Sequence, residues 1–435
     1  MTTLNPYQAS EVDAPTERVM SAGYGVVIVA IAAAAMVATL PGRTHGLGLV
    51  TESLIQDLEI SRVGYAQLNL WATLLGALFC LPCGWLIDRL GSRWMLSFVL
   101  AALAAAVLAM SRAQSFVTLF LYVMLTRGLG QSMLSVVSIT LVGKWFNRRL
   151  PLAMGAYSLL IGIGFAISFK TVGSMVLSWE WRDAWAAIGL VLLAFAPIAW
   201  LLVRDDPSRG RQQSASSPVP ESSSATLRQA LASPSFWVFA TATCVYGMIS
   251  SGISLFNQSI LAERGFTPDV FHTVLAVSSL TGMASNLIGG WIAARWSLGG
   301  VLGAAMFAFG AALLFLPYVQ TIIHVYVYAV TIGAAGGIVT VVFFSVWGHA
   351  FGSRDLGKIQ GVAQMLTVVT SAVGPLAFAE CYAKTGSYTM VFFIVAPTAA
   401  AMGILAWLVP LPVAAAGGWK QPPQTNSPFP LGASK

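Results

Sequence analysis

The chain has 435 residues, of which 57% are hydrophobic and only 9% are Asp, Glu, Lys or Arg. Soluble proteins carry about 25% charged residues, so water is excluded as the main solvent of this surface and a lipid bilayer is implied. The net charge of +7 would suit a nucleic-acid partner, but the distribution of Lys and Arg along the chain accounts for it without one.

Residues 1–21 carry Glu11, Asp13 and Glu17 and lack a basic start followed by an apolar core. They read as a polar tail rather than a signal peptide. From Ala22 onward twelve apolar runs follow, near 22–50, 63–87, 92–111, 116–142, 151–177, 184–203, 234–261, 270–294, 300–317, 324–348, 358–381 and 388–410. Their length is that of a spanning helix, and they lack the alternation of a transmembrane barrel. The 41 Gly and 20 Pro suit bent spanning helices.

The first run contains ATLPGRTHGLG at 38–48, which sets Arg43 and His45 into membrane-grade sequence. Pro41-Gly42 reads as a helix break that turns backbone groups toward the interior, or as a kink. A helix from Ala22 would carry Arg43 about 30 Å along its axis. In the second run Cys80-Leu-Pro-Cys83 has redox-motif spacing but sits among apolar residues, so small buried fillers are expected. The fourth run places Arg127 about 16 Å deep. Lys170 lies late in the fifth, where it either snorkels to the surface or meets a ligand or gate. Residues 204–229 are rich in Ser, Pro and charge and read as a flexible linker. In the tenth run Tyr328 and Trp347 form an aromatic wall or ordinary packing. Lys144 and His349 are expected at the surface. Glu380, late in the eleventh run, reads as a proton site or an outer gate partner.

Lys and Arg set the orientation. With both termini cytoplasmic, fifteen basic residues fall in inside segments and five in outside loops. Three more, Arg43, Arg127 and Lys170, lie within runs. The expected organisation is a cytoplasmic tail at 1–21, a six-helix bundle at 22–203, a cytoplasmic linker at 204–233, a second six-helix bundle at 234–410 and a cytoplasmic tail at 411–435. An inner (cell) membrane location and a monomer are expected.

The two halves repeat. A shift of 206 residues lays GWLIDR at 84–89 on GWIAAR at 290–295, Gly76 on Gly282, Gly130 on Gly336 and Gly155 on Gly361. Parallel six-helix repeats are an architecture of secondary transporters, with the substrate site between the halves.

GWLIDRLGSR at 84–93, placed between the second and third runs, resembles the loop signature of the major facilitator superfamily at Gly84, Leu86, Asp88, Arg89, Gly91 and Arg93. The resemblance spans about 22–410. It implies an all-α membrane protein of twelve helices in two pseudo-symmetric six-helix bundles, with the first and fourth helices lining a central cavity. It also implies a cytoplasmic gate at the motif. There Gly84 permits close packing, and Asp88 can accept N–H groups from a neighbouring helix N-terminus. Arg89 and Arg93 can pair with acids or lipid phosphates. The second copy has Ala294 where Asp88 falls, so a one-sided latch is expected. KWFNRRLPLAMG at 144–155, PGRT at 41–44 and GPLAFAECYAKTGSY at 374–388 resemble the monocarboxylate and oxalate/formate transporter group. Those relatives carry a basic residue in the eighth helix; residues 270–294 hold no Lys or Arg, and His272 is the nearest candidate.

A guanidinium in hydrocarbon must face water, a carboxylate or a ligand. The acids at membrane depth, Glu52 and Glu380, both lie near the outside. A cavity holding Arg43, Arg127 and His45 should therefore attract an anion, and the arginine fork suits a carboxylate. The competing readings are that Arg127 bonds neighbouring helices, that Arg43 snorkels outward and that His45 is a polar filler. The function expected is secondary active or facilitative transport of a small organic anion. An exporter of drugs or amphiphiles on the same fold is the alternative. A membrane enzyme is disfavoured: four scattered histidines form no metal set, and no Gly-rich loop is followed by Lys for a nucleotide. No cofactor is expected.

Overall fold

The computed structural model describes residues 22–60, 62–146, 150–204 and 224–412. Glu11, Asp13 and Glu17 fall outside the described residues, as do Arg148, Arg149 and most of the linker. The side chains of Glu52 and His272 also lie outside them. The described residues are helical or in short connections, with no strand among them.

Twelve long segments follow in order: α1 (Tyr24–Gly42), α2 (Gln67–Leu90), α3 (Ser92–Met110), α4 (Phe116–Trp145), α5 (Leu150–Val176), α6 (Trp181–Leu202), α7 (Pro234–Ala262), α8 (Pro268–Ala293), α9 (Leu298–Tyr318), α10 (Ile322–Phe351), α11 (Leu356–Thr385) and α12 (Thr389–Leu408). Among the described residues, eleven are long and apolar enough to cross a membrane. The twelfth, α8, is 26 residues long and carries Ser278, Ser279, Thr281, Ser285 and Asn286. Its polarity has a structural cause: it packs on α10 and, across the molecule, on α5. Much of its surface therefore meets protein rather than lipid. The protein is an integral multi-pass membrane protein.

Local sequence sets the boundaries. Ser115 and Thr118 form a reciprocal capping box at the start of α4, satisfying N–H groups that a helix end leaves orphaned. Gly91 closes α2 with φ of 100°, a region that favours glycine, and so permits the tight turn into α3.

Within each half, α3 packs on α6, α8 on α10, α9 on α12 and α7 on α11. The halves meet chiefly along α2·α11 and α5·α8. The 206-residue repeat explains both seams. A Cβ at Gly155 on α5 would lie 2.7 Å from the Asn286 carbonyl oxygen and 3.1 Å from Gly290 Cα on α8. A Cβ at Gly361 on α11 would lie 2.6 Å from the Cys80 carbonyl oxygen and 3.5 Å from Gly84 Cα on α2. The offset carries 84 to 290 and 155 to 361, so the two backbone contacts are pseudo-symmetry mates.

Cys80 and Cys83 are buried free thiols, as expected of fillers. Trp347 and Tyr328 are fully buried. Trp347 stacks on Phe351 and touches Phe236 and Phe343, the packing alternative rather than a cavity wall.

Candidate functional site

The PGRT stretch does break the first helix. The α-helix ends at Val37, a 3-10 turn runs Leu40–Gly42, and a short helix restarts at Thr44–Gly48. Arg43 sits in extended backbone between the two, not on a continuous first helix. Pro41 has no N–H to continue the ladder. Gly42 presses on the Thr126 carbonyl of α4, where a side chain has no room. Opposite, α4 changes winding: Arg127–Leu134 is a π-helix between two α-helical stretches. Such segments are uncommon and favour functional positions.

These distortions present two arginines to one turn. Arg43 donates from Nε to Thr39 Oγ1 at 2.6 Å and from Nη2 to Ser135 Oγ at 3.2 Å. The same Nη2 lies 3.0 Å from Met36 Sδ, and the guanidinium stands 5.4 Å from the Phe165 ring centroid. Arg43 Nη1 makes no hydrogen bond within the described residues. Arg127 is 2% exposed. Its Nη1 donates to Gln131 Oε1 at 2.8 Å and Thr44 Oγ1 at 3.2 Å, and its Nη2 to Asn69 Oδ1 at 2.8 Å. Among the described residues no carboxylate pairs with either arginine.

A cavity of about 260 Å³ lies between the halves. Met36 and Arg43 line it from α1 and its turn, Ser158 and Phe165 from α5, Asn286 from α8, and Thr340 and Phe344 from α10. Arg43 is in this lining and Arg127 is not. Both arginines reach the turn, but they face different neighbours. His45 is exposed and meets the Phe169 ring edge-on at 6.3 Å. Phe169 in turn stacks on Phe165 at 5.8 Å. An aromatic ladder thus runs from the cavity cation to His45.

The remaining expected residues do not join this site. Lys170 is exposed. Glu380 pairs with Lys384 one turn on in the same helix, at 3.2 Å and with both side chains exposed. The structure does not bring Lys170 and Glu380 together.

At the 84–93 motif the halves are clasped. Asp88 Oδ1 accepts from Gly357 N at 3.1 Å and Oδ2 from Lys358 N at 3.0 Å. These are N–H groups of the first turn of α11, where a carboxylate also meets the positive end of the helix dipole. Lys144 pairs with Asp88 at 2.8 Å, with the side chains 11% and 6% exposed. The expectation of a surface Lys144 is therefore corrected: the basic residue completing the clasp was in the sequence, but its partner is far away in the chain. Gly84 presses on the Gly357 carbonyl. Arg89 stacks on Trp85 at 5.0 Å, and Arg93 donates to the Trp200 carbonyl at 2.7 Å while stacking on its ring. In the second copy Arg295 bonds the carbonyl of Trp291 in its own helix. Beyond the clasp, Asp355 accepts from Leu227 N at 2.9 Å and Lys358 Nζ at 2.8 Å, tying the linker's end to α11. Burial works against the Asp355 charge, but Lys358 and the Leu227 N–H outweigh it and hold the carboxyl below its usual range.

Ser158, Asn286, Thr340 and the two phenylalanines were not foreseen. A signal existed: Ser158 follows Gly155 by one turn and Asn286 precedes Gly290 by one turn, and both glycines are matched by the repeat.

The family model described as Major Facilitator Superfamily matches residues 19–261 and 240–433. The chain belongs to the major facilitator superfamily. It is similar to a probable L-galactonate transporter of Escherichia coli (strain K12), 26% identical over 377 residues, 79% of this chain and 82% of that one. It is similar to monocarboxylate transporter 12 of Mus musculus, 24% identical over 313 residues, 65% of this chain and 64% of that one. Its fold matches the crystal structure of a superfamily transporter, FucP, in the outward conformation, with a TM-score of 0.67 at 14% identity over 89% of this chain and 99% of that one. The protein is thus a transmembrane transporter of small molecules, not an enzyme.

Proposed function

We propose that this superfamily transporter carries a small organic anion by alternating access, with Arg43 as the cation that recognises a carboxylate. The observation that carries this is Arg43 in the inter-half cavity with no carboxylate among the described residues to neutralise it. A guanidinium there is expensive unless charge or hydrogen bonds satisfy it, and a carboxylate supplies both. The names of two relatives, an L-galactonate transporter and a monocarboxylate transporter, agree with an anionic cargo.

The halves close against each other at the motif end through Asp88 and Lys144. Transport requires that clasp to open while the opposite end closes around the ligand. The bias of Lys and Arg supports a motif end, both termini and the linker on the cytoplasmic side, and the repeat supports two six-helix bundles at 22–203 and 234–410. Among the described residues no Asp or Glu lines the cavity. This favours anion exchange or facilitated flux over obligate proton symport.

The test is uptake by purified protein in liposomes, with monocarboxylates, neutral analogues and a lipophilic cation compared under imposed pH gradients. Carboxylate uptake that persists without a proton gradient is expected. Uptake of the cation in preference to carboxylates would overturn the reading and favour an exporter of amphiphiles.

A further inference from the structure

A carboxylate held by Arg43 projects the rest of its molecule across the cavity toward α5, α8 and α10. Those helices present hydrogen-bond acceptors. Ser158 and Asn286 are 3% and 9% exposed and line the cavity, and Ser158 Oγ and Asn286 Oδ1 have no hydrogen-bond partner among the described residues. Thr340 donates its hydroxyl proton to the Gly336 carbonyl at 2.8 Å, leaving its oxygen to accept. Phe165 and Phe344 supply apolar walls. A buried acceptor without a donor is costly and uncommon in a folded protein. Two such residues lining one cavity, with a third acceptor beside them, indicate that the donors come from the cargo.

We propose, resting on the assignment of Arg43 to the carboxylate, that the cargo is a hydroxylated monocarboxylate whose hydroxyl groups hydrogen-bond to Asn286, Ser158 and Thr340. Arg43, the one cation among the described lining residues, matches a single carboxylate. A second carboxylate would meet only the neutral hydroxyls and amide of Ser158, Thr340 and Asn286, with no second cation in the described lining. The division of labour also couples binding to motion. Arg43 and Ser158 belong to one half, Asn286 and Thr340 to the other, so a bound hydroxy acid bridges the halves and a plain fatty acid of equal length does not.

The experiment measures affinities of the full-length purified protein for matched pairs: lactate against propionate, gluconate against hexanoate, and lactamide against propionamide. A site built to bond a hydroxyl discriminates strongly against analogues lacking it, so the hydroxy acid of each pair should bind at least about tenfold tighter. Asn286→Ala and Ser158→Ala should each weaken hydroxy-acid binding about tenfold and leave the deoxy acids within about twofold. Neither should lower the melting temperature without ligand, because each removes an atom that has no partner among the described residues. The two substitutions lie in different halves, so a folding failure in one leaves the other to decide. Equal affinities within the acid pairs of the parent, or equal weakening of both acids in the variants, would overturn the proposal. If lactamide binds as tightly as lactate, the carboxylate role of Arg43 falls instead, and the amide pair still decides the hydroxyl role.

Discussion

Arg43 and Arg127 stand on two sides of the same turn, and their surroundings differ in kind. Both come from membrane-grade sequence and neither meets a carboxylate among the described residues. Arg127 is buried, turned to α2 and held by the side-chain oxygens of Asn69, Thr44 and Gln131. Arg43 has neutral partners too, but one nitrogen is unengaged and the group lines the inter-half cavity. A buried cation is therefore not in itself a binding group. What separates the two is where the unpaired donor sits: Arg127 uses both Nη groups on Asn69, Thr44 and Gln131 and keeps only a buried Nε outside the cavity lining, whereas Arg43 retains a donor in the lining.

Substitutions can break or sharpen that contrast. The largest structural effect belongs to Arg127→Ala. It leaves the Asn69 and Gln131 oxygens without their donor, and hydrogen bonds to charged groups are worth about 1.5–3 kcal/mol each. A loss of several kcal/mol in stability is expected, read as a large fall in melting temperature in detergent, while Arg43→Ala should cost less, because the Thr39 and Ser135 hydroxyls it leaves still donate to Met36. Equal destabilisation by the two would erase the distinction.

Next is Asp88→Asn, which keeps the shape of the clasp and removes its charge. Charge-assisted bonds are roughly twice as strong as neutral ones, so the loss is on the order of 1–3 kcal/mol. That shifts the balance between motif-end closed and open forms by about five- to a hundredfold. Cysteine labelling at the motif end should speed up and turnover should drop. Unchanged labelling together with unchanged turnover would remove the clasp from the mechanism.

The smallest effect is expected for Glu380→Gln. Its pair with Lys384 is exposed on one helix, and such pairs contribute about 0.3–0.5 kcal/mol. Transport should stay within about twofold of the parent by the same small energy. Loss of a proton-driven component in this variant would restore Glu380 as a coupling site.

The legible and illegible parts of this molecule divide along physical lines. The spans, the break at Pro41-Gly42 and the repeat of Gly84, Gly155, Gly290 and Gly361 are local or periodic, and could be read from the sequence. So could Asp88 as an acceptor for a helix N-terminus, because the motif places it at a helix end. Lys144 was misplaced at the surface because its partner lies 56 residues away. The π winding at 127–134 has no hydropathy signature, yet it helps set where Arg127 points. Ser158 and Asn286 look like ordinary polar residues in apolar helices until α5 and α8 are laid side by side.

The most direct measurement is the equilibrium affinity for a carboxylate ligand in folded Arg43→Ala, Arg43→Lys and Arg127→Lys protein, side by side. Losing a charge-assisted bond should weaken binding about ten- to a hundredfold in Arg43→Ala. Arg43→Lys keeps the charge without the fork and should retain part of the affinity, and Arg127→Lys should stay near the parent. Parental affinity in Arg43→Ala, or a greater loss in Arg127→Lys than in Arg43→Ala, would contradict the assignment of the anion to Arg43.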